Sequence, residues 1–184
     1  MSEISGRFRR VSGAFTETAQ AVPADAWENP SPCEGWVARD VVRHLVTWVP
    51  AFLHAGAGVE LPAGPPVDDD PVAAWAALRD ALQGLLDDPD VAAGEFDHER
   101  AGRHRLDDAI AQFILGDVLI HTWDLARSAG VDVTLDPDEV RGMLAGVEQI
   151  GDALEKSGQY GRRVEVAPGA DPQTKLLAAT GRRP

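Results

Sequence analysis

The sequence predicts an all-α protein: a four-helix bundle with additional short helices and at most a short strand or two. Three observations carry that prediction. Apolar residues recur at i, i+3 and i+4 over most of the chain. A long stretch with Gly56, Gly58, Pro62, Gly64, Pro65 and Pro66 separates the second helix from the third, as a surface crossover would. Strand-like alternation is confined to Arg163–Ala167. There is no internal repeat and no low-complexity tract.

The first helix is expected from Ser5 to Val22, with Phe8, Val11, Phe15 and Ala19 on one face and Pro23 beyond its end. A loop with Pro30, Pro32, Cys33, Gly35 and Trp36 follows. The second helix spans Val37 to Ala55 and carries Val41, His44, Leu45, Trp48 and Phe52 on its apolar stripe. Pro50 predicts a kink or an early stop in it. Val37 offers no hydroxyl for capping, although Asp40 sits where a capping-box acid belongs. Asp70 followed by Pro71 opens a third helix to Leu86, with Val72, Trp75, Leu78, Leu82 and Leu85 inward. Residues Gly94 to Arg105 lack helical pattern and read as an extended excursion. A fourth helix runs from Leu106 to Ala129 and ends at Gly130. Asp136 and Pro137 open a fifth helix to Leu154, expected outside the bundle, and Asp171 and Pro172 open a short one through Ala179.

Composition narrows the function. Of 184 residues, 44% are apolar and 26% charged, enough for a sizeable core in one domain over 1–184. Seventeen Lys and Arg against thirty Asp and Glu give a net charge of −13. Nucleic acid is therefore a poor partner, because phosphate binding needs a cationic face. An anionic membrane surface is disfavoured for the same reason. The basic start leads into no apolar segment, and no unbroken apolar run reaches membrane-spanning length. The single Cys33 excludes an internal disulfide and any multi-cysteine metal site. A cytoplasmic location is expected, and a homodimer through exposed helices is the oligomer anticipated.

The informative residues are the polar ones on apolar faces. Ile110, Phe113, Ile114, Asp117, Ile120, His121, Asp124 and Leu125 share one stripe of the fourth helix. Asp117 and His121 are four apart and point the same way from adjacent turns. A bare buried carboxylate is costly, so a proton, a cation or a metal must neutralise Asp117. His44 repeats the anomaly on the second helix. His44, Asp117 and His121 would form a set of two imidazoles and one carboxylate with coordination positions left open. Each also has a plain reading: His44 as a satisfied core histidine, Asp117 with His121 as a buried ion pair, and His121 with Asp124 as a helix-surface pair. Cys33 reads as a packed loop cysteine, His54 as exposed, and His98 and His104 as solvated unless their loop folds over the bundle. Trp27, Trp36, Trp48, Trp75 and Trp123 read as core and corner fillers, and Asp68–Asp70 as a solvated run ending in a cap. Phosphate loops and serine nucleophile elbows are absent from the sequence.

The run Pro32-Cys-Glu-Gly-Trp36-Val-Ala-Arg-Asp40-Val-Val-Arg-His44-Leu resembles the opening motif of mycothiol-dependent maleylpyruvate isomerase N-terminal domains. Gly116-Asp117-Val-Leu-Ile-His121-Thr-Trp-Asp124-Leu125 resembles their Glu-x-x-x-His-x-x-Asp-Leu segment. The tail from Val164 through Asp171, Pro172 and Leu177 to Gly181 and Arg182 is similar to short single-domain metal-binding proteins of the same DinB-like superfamily. The resemblance implies a DinB-like four-helix bundle, up-down-down-up, with zinc or nickel held by His44, Asp117 and His121. Asp124 falls on an acid that would orient an imidazole through its free N–H. It also implies a low-molecular-weight thiol, mycothiol or a similar one, held as thiolate and presented to a small electrophile. Asp117 replaces the longer Glu of the family, so the helices must approach more closely or the metal must shift. The isomerase's second, C-terminal domain is expected to be missing. A metal-dependent thiol transferase is thus the leading reading. A hydrolase using metal-bound water and a non-catalytic metal-binding domain are the alternatives.

Overall fold

The computed structural model describes residues 2–151, 158 and 160–184. In chain order the elements are α1 (Glu3–Ala21), α2 (Ala38–Ala57), α3 (Pro71–Asp87), the single turn α4 (Pro89–Ala92), and strands β1 (Glu95–His98) and β2 (Gly102–Arg105). The rod α5 (Leu106–Ala109), a π turn (Ile110–Ile114) and α6 (Leu115–Ala129) follow. Then come α7 (Pro137–Ile150) and α8 (Pro172–Ala179).

The expected all-α bundle is present. α1 packs on α3 and on α6, and α2 packs on the same two, so α1 and α2 stand at opposite corners of a four-helix ring. α7 lies outside that ring, against α6 and α8. The core holds Phe8, Phe15, Leu45, Leu53, Trp75, Leu82, Ile110, Ile114 and Leu125, all fully buried. The Phe15 and Trp75 rings meet at 4.4 Å, and Trp75 donates its indole N–H to Thr16 Oγ1 at 2.9 Å. This satisfies the one polar atom that a buried tryptophan brings with it.

Local chemistry explains the helix starts. Asp70 and Asp171 accept from the backbone N–H groups of Ala73 and Thr174, and Pro71 and Pro172 occupy the first helical turns. α2 lacks a hydroxyl at its cap. Its first amides instead reach loop carbonyls: Ala38 donates to Asn29 O at 2.9 Å and Arg39 to Trp27 O at 3.0 Å. Asp40 supplies the remaining half of a capping box by accepting from Val37 N at 3.0 Å. Pro50 does not stop the helix, which continues to Ala57 and ends on Gly58 in the left-handed region.

Three expectations are corrected or sharpened. Arg163–Ala167 forms no strand; it runs as irregular chain beside α8, with Val164 N donating to Ala178 O at 2.9 Å. The excursion 94–105 is a two-stranded antiparallel hairpin, pairing Phe96 with His104 and His98 with Gly102. The fourth helix is not uniform α-helix, because the π turn inserts one residue where Leu115 N reaches back to Ile110 O. The expected end of the fifth helix at Leu154 lies outside the described residues. Among the described residues, Leu106–Ala129 is the one stretch long and apolar enough to cross a membrane, and 72% of its most apolar window is buried in the bundle.

The hairpin seats on α2 through Phe96, which is fully buried. A Cβ at Gly56 would stand 2.1 Å from the Phe96 ring. Gly56→Ala is therefore expected to lever the hairpin off α2 and to cost about 1–3 kcal/mol, as overpacking does. Denaturant unfolding with an unchanged m-value checks it; an unaltered midpoint refutes it.

Candidate metal centre

Two helices face each other in a fixed register. α2 presents His44, Trp48 and Phe52 at successive four-residue steps, and the α6 rod presents His121, Asp117 and Phe113. His44 Nε2 lies 3.1 Å from Asp117 Oδ2, and Trp48 Nε1 donates to the same oxygen at 2.9 Å. His121 Nε2 lies 3.4 Å from Asp117 Oδ1. The two imidazole centroids are 4.9 Å apart, and Phe52 and Phe113 rings meet at 5.5 Å. These pairings run the two helices antiparallel, which places one helix's four-step stripe against the other's.

The structure thus brings His44, Asp117 and His121 together. One ligand atom from each lies within 4.8 Å of the others. Two ligands bound to a tetrahedral ion at about 2.0–2.1 Å stand about 3.3 Å apart. The 3.1 and 3.4 Å separations match that spacing, so the donor set fits a divalent ion of this size. The His44 and Asp117 side chains are 30% and 19% exposed, which leaves one side of the set open. The shorter Asp117 still reaches His44 Nε2 at 3.1 Å.

Behind the open face the site is closed. Asp124 is fully buried, and Oδ2 lies 2.9 Å from His121 Nδ1. Arg182 of the tail donates to both oxygens of Asp124, from Nη2 at 2.7 Å and from Nε at 3.2 Å. Cys33 Sγ stands 3.4 Å from Asp124 Oδ2 and 3.6 Å from Arg182 Nη2. With Nδ1 held by a carboxylate, His121 turns Nε2 toward Asp117, the orientation that a metal-binding imidazole needs. Trp36 covers both rings, 5.1 Å from His44 and 5.9 Å from His121.

The electrostatics follow from this packing. Burial would raise the pKa of Asp117, but His121 and His44 outweigh it and hold the carboxyl well below its usual range. Burial would lower that of His121; Asp117, then Asp124 and Cys33, reverse this and favour the imidazolium. Asp124 is depressed despite its burial by His121 and Arg182. Tyr160 is pushed up to about 12 by burial and by the Asp117 charge, with Arg182 opposing, which places its hydroxyl in the field of the same site.

Several sequence readings change here. Asp117 with His121, and His121 with Asp124, do form pairs, and the second is buried rather than on a helix surface. Trp36 and Trp48 line the site instead of filling corners. Cys33 is packed as expected, but against Asp124 and Arg182. It forms a second cluster with His121 and Asp124 that could hold a cation, although the Arg182 guanidinium already occupies that charge. His54 is exposed as expected. His98 and His104 are half-buried against Phe52 and Phe113 rather than solvated. Trp48 was signalled by its place four residues after His44. Arg182 had no such signal, since it joins the site from 58 residues away.

Comparison with known proteins gives the family and the fold. Residues 8–126 match the family model described as the mycothiol maleylpyruvate isomerase N-terminal domain. That span includes His44, Asp117, His121 and Asp124, but not Arg182. Two uncharacterized proteins of Mycobacterium tuberculosis, from strains CDC 1551 / Oshkosh and ATCC 25618 / H37Rv, are each 29% identical over 141 residues. The alignment covers 71% of this chain and 69% of each of theirs. Crystal structures of the mycothiol-dependent maleylpyruvate isomerase and of its histidine-to-alanine mutant superpose with TM-scores of 0.60 and 0.58 at 16% identity. Both superpositions cover 98% of this chain and 89% of the isomerase chain, and they show a shared fold. By the match over most of its length, the chain belongs to the mycothiol maleylpyruvate isomerase N-terminal domain family.

Proposed function

We propose that the protein is a metal-dependent thiol transferase in which His44, Asp117 and His121 hold a divalent ion, zinc or nickel. The observation that carries this reading is the convergence of two imidazole nitrogens and a carboxylate at ligand-to-ligand spacing, open on one side and closed on the other. A bound ion would supply Lewis-acid chemistry, stabilising a thiolate at neutral pH. The thiol, mycothiol or a similar one, comes to this reading from the family and from the isomerase whose fold the chain shares. The partner would be a small electrophile.

The chain's own residues have distinct tasks. Asp124 fixes the His121 tautomer and keeps Nε2 toward the ion site. Arg182 neutralises Asp124, so that this carboxylate stays ionised although it is fully buried. Trp48 holds Asp117 Oδ2 through its indole N–H and so limits carboxylate rotation. Trp36 shields both imidazoles from one side, which raises the strength of every electrostatic contact beneath it.

Elemental analysis of the protein as purified is expected to find about one equivalent of zinc or nickel, and chelation is expected to lower the Tm. His44→Ala and Asp117→Ala should each abolish the bound metal. Protein that carries no metal and takes none up in a titration with zinc or nickel ends the reading. Direct titration of the loaded protein with mycothiol separates a transferase, which binds it, from a hydrolase, which ignores it.

Asp124→Asn keeps the shape but removes the charge that orients His121. Metal affinity is expected to fall about 10–100-fold, measured by competition with a chromophoric chelator. Arg182→Met leaves the buried Asp124 charge with only its His121 and Cys33 contacts. A loss of about 3–5 kcal/mol in unfolding free energy is expected, and the double variant with Asp124→Asn should recover much of it.

A further inference from the structure

The aromatic surface does not end at the ion site. From His44 the ring centroids step 5.9 Å to Trp48 and 5.5 Å to Phe52, and Phe113 faces Phe52 from the α6 rod at 5.5 Å. The hairpin closes the far end, with His98 5.0 Å from Phe52 and His104 5.5 Å from Phe113. Eight helical residues rise about 12 Å, so the strip extends about that far from the ligand set. Its members differ from core aromatics. Phe8, Phe15 and Trp75 are fully buried, whereas Trp48, Phe52, Phe113, His98 and His104 are all half-buried.

Two polar groups on the strip are fixed in advance. The Trp48 indole is tied by its N–H to Asp117, which sets the plane of the ring. His98 Nδ1 accepts from Arg100 N at 3.2 Å and Ala101 N at 3.3 Å. In the neutral ring the proton therefore sits on Nε2. That donor has no partner among the described residues. His98 stands opposite Gly102 in the hairpin, so its directly paired residue brings no side chain. His104, by contrast, spends its Nε2–H on Ala101 O at 2.7 Å.

We propose that this strip is the electrophile-binding subsite of the protein, that it takes a planar aromatic body lying over Trp48 and Phe52, and that His98 Nε2–H donates to an oxygen at the body's far end. A flat π-faced group gains face and edge contacts with these rings beyond the area it buries, and a saturated group of equal size does not. The rings, packed on one another, and the donor are held in place before binding, which lowers the entropy lost on association. The placement of the reacting atom at the His44 end rests on the metal-centre reading; the ring preference and the role of His98 do not. Phe52, Phe113 and His98 would then determine specificity, leaving the chemistry to the ion site.

The test is calorimetric titration of the full chain with 2-naphthoate and with its saturated analogue decahydro-2-naphthoate, on metal-loaded and metal-stripped protein. The aromatic probe is expected to bind about fivefold tighter than the saturated one. Phe52→Leu, which keeps apolar bulk but removes the ring, should erase that preference with metal content unchanged. His98→Ala should weaken 2-naphthoate about fivefold without lowering the Tm appreciably. Equal binding of the two probes, or undiminished 2-naphthoate affinity in both variants, overturns the proposal. A protein that holds no metal yet keeps the ring preference overturns the metal reading and supports the strip.

Discussion

Two carboxylates on one helix, Asp124 fully buried and Asp117 partly so, set the terms for everything around them. Asp117 and Asp124 lie two turns apart on α6, in a segment that is otherwise apolar. An ionised carboxylate in such surroundings is unfavourable by several kcal/mol unless positive charge and hydrogen bonds meet it. The fold meets Asp117 with His44 and Trp48 from α2 and with His121 from its own helix. It meets Asp124 with His121, Arg182 and the Cys33 thiol. These partners come from four parts of the chain, so satisfying the two acids ties α2, α6, the loop before α2 and the tail into one unit.

His121 is the shared member. Its Nδ1 serves Asp124 and its Nε2 faces Asp117, so one ring transmits the position of the buried acid to the open one. The tail therefore reaches the site through a chain of charge-assisted contacts, from Arg182 to Asp124 to His121. Such contacts are short and directional, and they leave little rotational freedom to the ring. The π turn ahead of α6 belongs to the same design. Across it Ile110 and Ile114 are fully buried, and Phe113 is half-buried beside Phe52.

The hairpin shows how a short polar segment acquires a role through its neighbours. Its strands are too few and too short to stand alone. Phe96 anchors it in the space left by Gly56, and the imidazoles on the same side come to rest on Phe52 and Phe113. The result continues the aromatic surface of the candidate metal centre along the bundle, so that a protein of net charge −13 presents mostly rings and imidazoles there.

Much of the fold was legible in the sequence, because helical periodicity and caps are local. The apolar stripes, the Asp-Pro starts at residues 70 and 171, and the glycine stop at Gly130 each act within a few residues. The expected site residues were legible for a related reason: a charge on an apolar stripe is an energetic anomaly visible without coordinates. The π turn was not legible, since it depends on how the rod fits its neighbours rather than on the composition of five residues. Nor was the irregular course of Arg163–Ala167, whose alternating pattern found no adjacent strand to pair with. Arg182, Cys33 and Trp36 belong to the site only because tertiary packing carries a tail and a loop to α6. Sequence alone determined which groups could not be left alone in a hydrocarbon-like interior. The tertiary structure decided which partners relieve them, because contacts between distant segments depend on the way helices stack and not on any spacing along the chain.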